Sequence, residues 1–127
     1  MVKEALLRYK KVFSCGCLKS KAETEFKAIL KENNVLFIPQ KTFNECKNKI
    51  KLRFDIYIPH LNLCVELDGI QHFKPIDFFG GINHLIETQL RDQIKNTYCA
   101  EHNINLLRIP YTEFHRLEEI CKENKII

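Results

Sequence analysis

The chain has 127 residues, enough for one domain with a buried core, and its composition, 45% hydrophobic and 28% charged, is typical of a globular protein. No apolar run approaches the roughly 20 residues of a membrane-spanning helix, and the N-terminus is too charged for a secretory signal, so we expect no membrane association. The net charge of +4 permits nucleic-acid binding, and six cysteines without a secretory signal predict free thiols in a reducing, intracellular compartment.

Residues 1–19 are interpreted as a basic N-terminal segment that precedes the main domain, residues 20–127. A short helix is expected over residues 1–13, followed by Cys15-Gly-Cys17. A zinc site usually needs a second pair of Cys or His ligands at a set spacing, and the other four cysteines are scattered. The Cys-Gly-Cys stretch is therefore predicted to be a tight turn and not a zinc site.

The first helix of the main domain is predicted from Ser20 to about Asn33. Ser20 and Glu23 match the S-x-x-E capping box, and an apolar stripe follows at Ala22, Phe26, Ile29 and Leu30. The capping role explains Glu23 completely, although this residue also lies on the inward side of the predicted helix.

Short extended segments are predicted at residues 35–38 and 41–43, separated by Pro39. Lys41 lies near the expected sheet edge. Residues 44–51 are predicted to be a polar loop with three lysines, which either is simply solvated or contacts phosphates.

The centre of the chain, residues 53–68, is predicted to be a β-hairpin. Residues 53–58 and 63–68 alternate polar and apolar, and residues 59–62 are a suitable turn. Symmetric closure places three pairs on one face: Tyr57 with Cys64, Asp55 with Glu66, and Arg53 with Asp68. The opposite face then meets the core through Phe54, Ile56, Leu63, Val65 and Leu67.

Facing carboxylates on one sheet face repel each other and require a cation. Arg53 is one candidate, and Mg²⁺ held by Asp55 and Glu66 fits better, because hard oxygen ligands suit this ion. Gly69 ends the strand, and His72 lies just beyond it as a candidate general base. The stretch predicts a metal-assisted hydrolytic site, whereas the alternative is a set of solvated strand residues.

A loop of about ten residues is predicted after His72, with Pro75, Gly80 and Gly81, in which Phe73, Phe78 and Phe79 lie near Lys74. Such aromatics either stack on bases or fold back onto the core. The longest helix is predicted from Ile82 to about His102, with a buried side at Ile82, Leu85, Ile86, Leu90, Ile94 and Tyr98.

Polar residues Arg91, Asp92 and Lys95 lie together on this long helix, and an exposed ion pair between Asp92 and Lys95 is the simplest explanation for them. Residues 104–109 are predicted to be a buried parallel or central strand. A last amphipathic helix is predicted, capped by Thr112, with Phe114, Leu117, Ile120 and Cys121 on its apolar side. The order predicts an α/β fold, a mixed sheet flanked by helices.

This αβββαβ order with an acidic hairpin resembles the restriction-endonuclease-like PD-(D/E)XK fold. In that family an Asp lies in one strand and E-x-K in the next, and here Asp55 and Glu66-Leu67-Asp68 match, with Asp68 in place of Lys. The chain is similar in this respect to very-short-patch-repair (Vsr-like) endonucleases and EDxHD homing endonucleases of phages. In those enzymes a Gly-then-His segment supplies the base, as in Asp68-Gly69-Ile70-Gln71-His72.

The resemblance rests on four further stretches: Ser20-Lys21-Ala22-Glu23 for S-K-G-E, Gln40-Lys41 with Phe43 and Cys46 for Q-K-x-F-x-x-C, Arg91-Asp92 for R-D, and Leu106-Leu107-Arg108-Ile109 for the closing strand. It covers about residues 20–112. It implies a Vsr-like nuclease domain over residues 20–127. It also implies a gene carried by a virus or mobile element and a protein located in the cytoplasm or nucleus.

The resemblance also implies a function, a Mg²⁺-dependent DNA endonuclease in which Mn²⁺ substitutes. The implied catalytic residues are Glu23, Asp55, His72 and Asp92, with Asp55 and Glu66 on the metal. Asp68 and Gln71 are implied as supporting residues, and Lys41, Arg53, Lys74 and Arg91 as contacts to DNA. The implied partners are DNA and either a second copy of the chain or a separate targeting subunit. The alternative is a nuclease fold that only binds nucleic acid.

Overall fold

A computed structural model describes residues 17–48, 50–74 and 81–127. The predicted turn at Cys15 and the aromatics Phe78 and Phe79 lie outside the described residues. The helices and strands are α1 (Cys17–Glu32), β1 (Ile38–Lys47), β2 (Lys51–Ile58), β3 (Leu63–Asp68), α2 (Gly81–Glu101), β4 (Asn105–Pro110) and α3 (Leu117–Glu123). Single 3₁₀ turns occupy Pro59–Leu61, Ile70–His72 and Tyr111–Arg116.

The four strands form one mixed sheet in the order β1-β2-β3-β4. The first three strands pair antiparallel as a meander, whereas β4 returns through α2 and pairs parallel to β3, from Leu63 opposite Asn105 to Asp68 opposite Pro110. A parallel neighbour requires such a helical crossover. The α/β class, the mixed sheet and the parallel strand were all predicted correctly, although β4 lies at the sheet edge.

Two apolar clusters cover the two faces of the sheet. The larger cluster joins the sheet to α1 and α3, with Phe26, Leu30, Ile56, Val65, Leu67, Leu117 and Ile120 among its buried members. The smaller cluster joins the sheet to α2, with Cys46, Leu52, Phe54, Cys64 and Cys99 as its buried members. In the part of the chain that the structure describes, no helix combines the length and apolar character needed to cross a bilayer.

The predicted start of the first helix is wrong. Because α1 begins at Cys17, Ser20 lies inside the helix, and its carbonyl oxygen accepts a hydrogen bond from the Thr24 hydroxyl at 3.0 Å. Ser20 and Glu23 therefore form no capping box, and the helix brings Lys19 onto the same side as Glu23, four residues later.

The predicted break at Pro39 and the polar loop after residue 43 are also wrong. Ile38–Lys47 is one continuous strand, and only residues 48–50 connect it to β2. Proline is compatible with β1 because β1 is an edge strand, where a backbone donor is dispensable.

The boundaries of the longest helix agree with the prediction, but only half of its predicted buried side does, namely Leu85 and the partly buried Ile94 and Tyr98. Ile82, Ile86 and Leu90 are 56%, 58% and 49% exposed, whereas Leu85, Thr88 and Cys99 are buried. The helix turns a partly polar side to the sheet, since that side carries groups that bind buried carboxylates on β3.

The end of the chain agrees with the prediction in its core residues and differs at its cap. Phe114, Leu117, Ile120 and Cys121 are buried. Thr112 lies in a 3₁₀ turn whose N-cap, Pro110, provides no side-chain hydrogen bond, and α3 starts only at Leu117.

Candidate functional site

The predicted hairpin register is confirmed where β2 and β3 pair, with Tyr57 opposite Cys64. This pairing runs from Ile58 and Leu63 to Ile56 and Val65. Beyond it, the Asp55 backbone N–H donates to Glu66 Oε1 at 2.8 Å, and the Leu67 N–H donates to Asp55 Oδ2 at 2.8 Å. The two carboxylates thus insert between the strands and accept main-chain hydrogen bonds.

The predicted faces of β2 are wrong at two positions. Phe54 packs edge-to-face on Phe43 and belongs to the smaller cluster on the α2 side. Asp55 instead lies beside Lys19 of α1, with 3.4 Å between Lys19 Nζ and Asp55 Oδ1. Strict alternation fails where the side chains replace ladder hydrogen bonds. Arg53 is exposed, and the pairing of β2 with β3 ends at Ile56 opposite Val65, so the predicted pair of Arg53 with Asp68 is not formed.

One set of charged residues, which we call the hairpin group, consists of Lys19, Glu23, Asp55, Glu66 and Lys95. Burial and the neighbouring Asp55 carboxylate raise the pKa of Glu23. Burial alone would lower the pKa of Lys19, but the charges of Asp55, Glu66 and Glu23 raise it above its ordinary value. The structure therefore brings predicted residues Glu23 and Asp55 together around a lysine of α1.

Glu66 is the most deeply buried carboxylate of the hairpin group, at 1% exposure. Its Oε2 accepts a hydrogen bond from Lys95 Nζ at 2.9 Å. Burial, followed by the charge of Asp55, raises the pKa of Glu66 despite this ammonium. Lys95 pairs with Glu66 and stacks over Phe54, 5.4 Å from the ring centroid, so the predicted exposed ion pair with Asp92 is replaced by a buried one.

A second set, the histidine group, consists of Asp68, His72, Asp92 and Arg108. His72 Nδ1 lies 2.8 Å from Asp92 Oδ2 and 3.7 Å from Asp68 Oδ1. Burial would raise the pKa of Asp92, but the hydrogen bond and charge of His72, with Arg108, hold it below its ordinary value. Burial outweighs the Arg108 charge at Asp68 and raises the pKa of that carboxyl.

One oxygen each from Asp68 and Asp92, and one nitrogen from His72, lie within 4.8 Å of one another. This donor set of two carboxylates and an imidazole is compatible with a divalent cation. The histidine group adjoins the hairpin group, since Arg108 NH1 lies 4.0 Å from Glu66 Oε2. The two groups form one continuous network of charge.

A cavity of about 230 Å³ opens beside this network. Its walls are formed by His72, His84, Thr88, Arg91, Asp92 and Lys95. The histidine and the helix that orients it therefore border a space large enough for a small polar group or several waters.

The remaining predicted residues lie around the network. Arg91 borders the cavity and lies 3.8 Å from Glu87. Lys74, two residues after His72, is exposed. Lys41 covers the rings of Phe43 and Tyr57, at 5.2 and 5.5 Å from their centroids. The Gln71 side chain lies outside the described residues.

Lys19 and Arg108 were not predicted as partners of the acids, and Lys95 was predicted to pair with Asp92 and not with Glu66. Arg108 carried a signal, since it is the one charged residue in the strand 105–110 and alternates with Leu107 and Ile109. In parallel register it lies opposite Glu66. Lys19 was hidden because the predicted helix began one residue after it.

Three curated relatives match part of the chain, and all are uncharacterized viral proteins. Protein 307L of Invertebrate iridescent virus 6 is 39% identical over 62 residues, 033L of Invertebrate iridescent virus 3 is 36% identical over 62, and 094L of Frog virus 3 is 33% identical over 63. The matches cover 48% of this chain and 32%, 32% and 41% of the relatives. No family model and no solved structure matches. The chain is thus similar to segments of iridovirus and frog-virus proteins and spans less than half the length of each.

Proposed function

We propose that the chain is a metal-dependent DNA endonuclease of the Vsr-like PD-(D/E)XK type, which hydrolyses phosphodiester bonds with Glu23, Asp55, His72 and Asp92. The observation that carries the proposal is the 2.8 Å contact of His72 with Asp92, within a network in which the carboxylates, buried and half-buried together, outnumber the cations paired with them. A histidine oriented by a carboxylate and next to an excess of acids is the arrangement that metal-assisted hydrolysis requires.

His72 is proposed as the general base. Asp92 Oδ2 accepts the proton on Nδ1, which fixes the tautomer and leaves the Nε2 lone pair to take a proton from water. Asp92 is in turn held by Arg108, whose NH1 lies 3.4 Å from Asp92 Oδ1. Asp92 thus orients the base and stabilises the imidazolium that forms.

The charges of the network favour a divalent cation. Five carboxylates, those of Glu23, Asp55, Glu66, Asp68 and Asp92, adjoin three cations, those of Lys19, Lys95 and Arg108. Asp55 and Glu66, with Glu23 beside them, are proposed to hold Mg²⁺ or Mn²⁺, because each carboxylate oxygen keeps a lone pair beyond its present hydrogen bond. The bound ion supplies Lewis-acid polarisation of the phosphate and offsets developing charge.

The proposed substrate is DNA, since a net charge of +4 and exposed cations near the histidine favour a polyanion. Arg91 and Lys74 are placed to contact phosphates beside the cavity, with Arg53 and Lys41 further along β2 and β1. Asp68 and Gln71 support His72. Buried free thiols at Cys46, Cys64, Cys99 and Cys121 are compatible with a reducing compartment, the cytoplasm or nucleus of a virus-infected cell. A second copy of the chain or a targeting subunit is proposed to supply further specificity.

Cleavage of supercoiled plasmid in Mg²⁺ or Mn²⁺, against EDTA, tests this function. Wild type is expected to nick or linearise the plasmid only with metal, and Asp55→Ala is expected to lose at least about 100-fold in rate, since a metal-bound carboxylate is removed. Glu101→Gln, which changes an exposed carboxylate at the end of α2, serves as the matched control and should cleave normally. Metal-independent cleavage, or full activity in Asp55→Ala, would contradict the proposal.

A binding-only role is the second candidate, and one observation favours it. The carboxylates already have Lys19, Lys95 and Arg108 as counter-ions, as in a site whose metal has been replaced by cations. DNA affinity of the wild type and of Asp55→Ala, measured during titration with Mn²⁺, distinguishes the two roles. A binding-only protein should bind DNA equally well with and without metal and with and without Asp55.

A further inference from the structure

Arg108 is held more rigidly than the other cations of the network. Its Nε donates to Asn96 Oδ1 at 2.8 Å, and its NH2 donates to the Asp92 carbonyl oxygen at 3.2 Å. Both partners belong to α2, whereas Arg108 belongs to β4. These two bonds fix the plane of the guanidinium, so that the third nitrogen, NH1, has one available position.

That third nitrogen lies among the acids of the histidine group. NH1 is 3.1 Å from both oxygens of Asp68 and 3.4 Å from Asp92 Oδ1. Asp68 is 4% exposed, so this guanidinium is the main compensation for a charge that has lost most of its water.

Asp68 and Asp92 also belong, with His72, to the only three-donor group found among the described residues. A divalent cation bound there needs the carboxylate oxygens that Arg108 now neutralises, at coordination distances of about 2 Å. The arginine and a metal ion therefore compete for the histidine group, and a metal bound there would draw His72 into its ligand shell.

Lys19 of the hairpin group is more easily displaced than Arg108. Lys19 lies 3.4 Å from Asp55, its side chain is 27% exposed, and an ammonium on a flexible stem has no fixed plane. A metal ion that binds Asp55 therefore has to displace only a flexible lysine, whereas one that binds Asp68 has to displace an arginine fixed by hydrogen bonds.

We infer that Arg108 is a positioning residue that fills the cation position between Asp68 and Asp92, excludes divalent metal from the histidine group, and so keeps His72 available as a base. This inference deepens the proposed function and rests on it for the role of His72. The exclusion of metal by Arg108 is a property of binding and is measured without DNA.

The test is the affinity for Mn²⁺, followed by the electron paramagnetic resonance signal of the free ion, in Arg108→Met. Methionine preserves much of the length of the arginine side chain and removes its charge. Mn²⁺ is the ion of choice because it binds carboxylate and imidazole ligands, whereas cysteine thiolates prefer softer metals. We expect Arg108→Met to gain a site at least about tenfold tighter than any in wild type, and the gain to disappear in Arg108→Met/His72→Ala. Arg53→Met removes the same charge from an exposed position on β2 and should gain nothing.

The inference is overturned if Arg108→Met gains no affinity, if Arg53→Met gains as much, or if the gain survives the loss of His72. Should Arg108→Met fail to fold, wild type and His72→Ala decide the matter, because their Mn²⁺ affinities should agree within about threefold. A tenfold loss in His72→Ala would show that metal enters the histidine group despite the arginine. An inactive wild type with the expected metal affinities would contradict the nuclease proposal alone.

Discussion

At the scale of single residues, Glu66 joins the two halves of the network. One of its oxygens accepts the Asp55 N–H, and the other lies 2.9 Å from Lys95 and 4.0 Å from Arg108. Because Glu66 is almost completely buried, its charge depends on these donors. The position therefore links the backbone of the hairpin to α2 and β4.

Removal of the Lys95 ammonium should destabilise the fold through Glu66. Lys95→Met leaves a buried carboxylate without its closest cation, so we expect a loss of about 3 kcal/mol in the free energy of unfolding at neutral pH. Lys95→Met/Glu66→Gln should recover most of that loss. Urea denaturation measures both variants. Lys21→Met, an exposed change on α1, is the control, and a Lys95→Met variant as stable as this control would contradict the account.

The hairpin acids were predictable, and their partners were not. Alternation over residues 53–58 and 63–68 gave the correct register at Tyr57 and Cys64. Lys19, Lys95 and Arg108 lie 36, 29 and 42 positions from their partners Asp55, Glu66 and Glu66, so no local periodicity connects them. These contacts depend on how α2 crosses over between β3 and β4 and on where α1 begins, so they can be predicted only after both are known.

At the scale of elements, the three helices of the described residues were predicted at approximately the right positions, while their buried faces were predicted less accurately. Hydrophobic periodicity selects the most apolar side of a helix. In α2 the side that meets the sheet carries Thr88, Asp92 and Lys95, because buried ion pairs compensate for the polar groups. The apolar pattern therefore fails in α2 because the side that meets the sheet contributes to the charged network.

The corrected start of α1 gives a direct stability prediction. Because Ser20 lies within the helix and is exposed, Ser20→Ala should change the free energy of unfolding by only a few tenths of a kcal/mol, or increase it, since alanine is the better helix former. A true N-cap serine would instead lose about 1 kcal/mol. Thermal or urea unfolding of the two proteins distinguishes the two positions of the helix start.

The packing of α3 predicts a pH dependence. Burial, with Glu118 nearby, raises the pKa of Cys121 to about 11 from an ordinary 9.0. Above pH 9 the unfolded chain loses this proton before the folded one does, so stability falls as pH rises, by at most about 1.4 kcal/mol per pH unit. Cys121→Val lacks the thiol, so its free energy of unfolding should lack the part of the decrease that Cys121 causes.

Chemical denaturation of wild type and Cys121→Val at pH 8 and pH 10 measures this effect. Cys46 and Cys64 are present in both proteins, so their own ionisation is common to the two curves and leaves the difference to Cys121. A stability difference that stays constant between the two pH values would mean that the Cys121 thiol is no more buried than in the unfolded chain.

At the scale of the whole molecule, the order of elements determines where the acids meet. β3 lies between β2 and β4, so that its carboxylates meet groups from α2 and β4, whereas Asp55 of the neighbouring β2 meets Lys19 of α1. The order of elements along the chain was predicted from hydrophobic patterns, whereas the position of β4 at the sheet edge beside β3 was not. The proposed endonuclease activity requires that the acid–histidine network bind a divalent metal and activate water.

The most direct test of the account is cleavage of supercoiled plasmid in Mg²⁺ by wild type and by His72→Ala, with and without added imidazole. The account predicts metal-dependent cleavage by wild type, a loss of about 100-fold or more in His72→Ala, and partial recovery with imidazole, since the missing group is a base. Circular dichroism should show that both proteins are folded. Cleavage by His72→Ala at the wild-type rate would contradict the central claim that His72, oriented by Asp92, activates the attacking water.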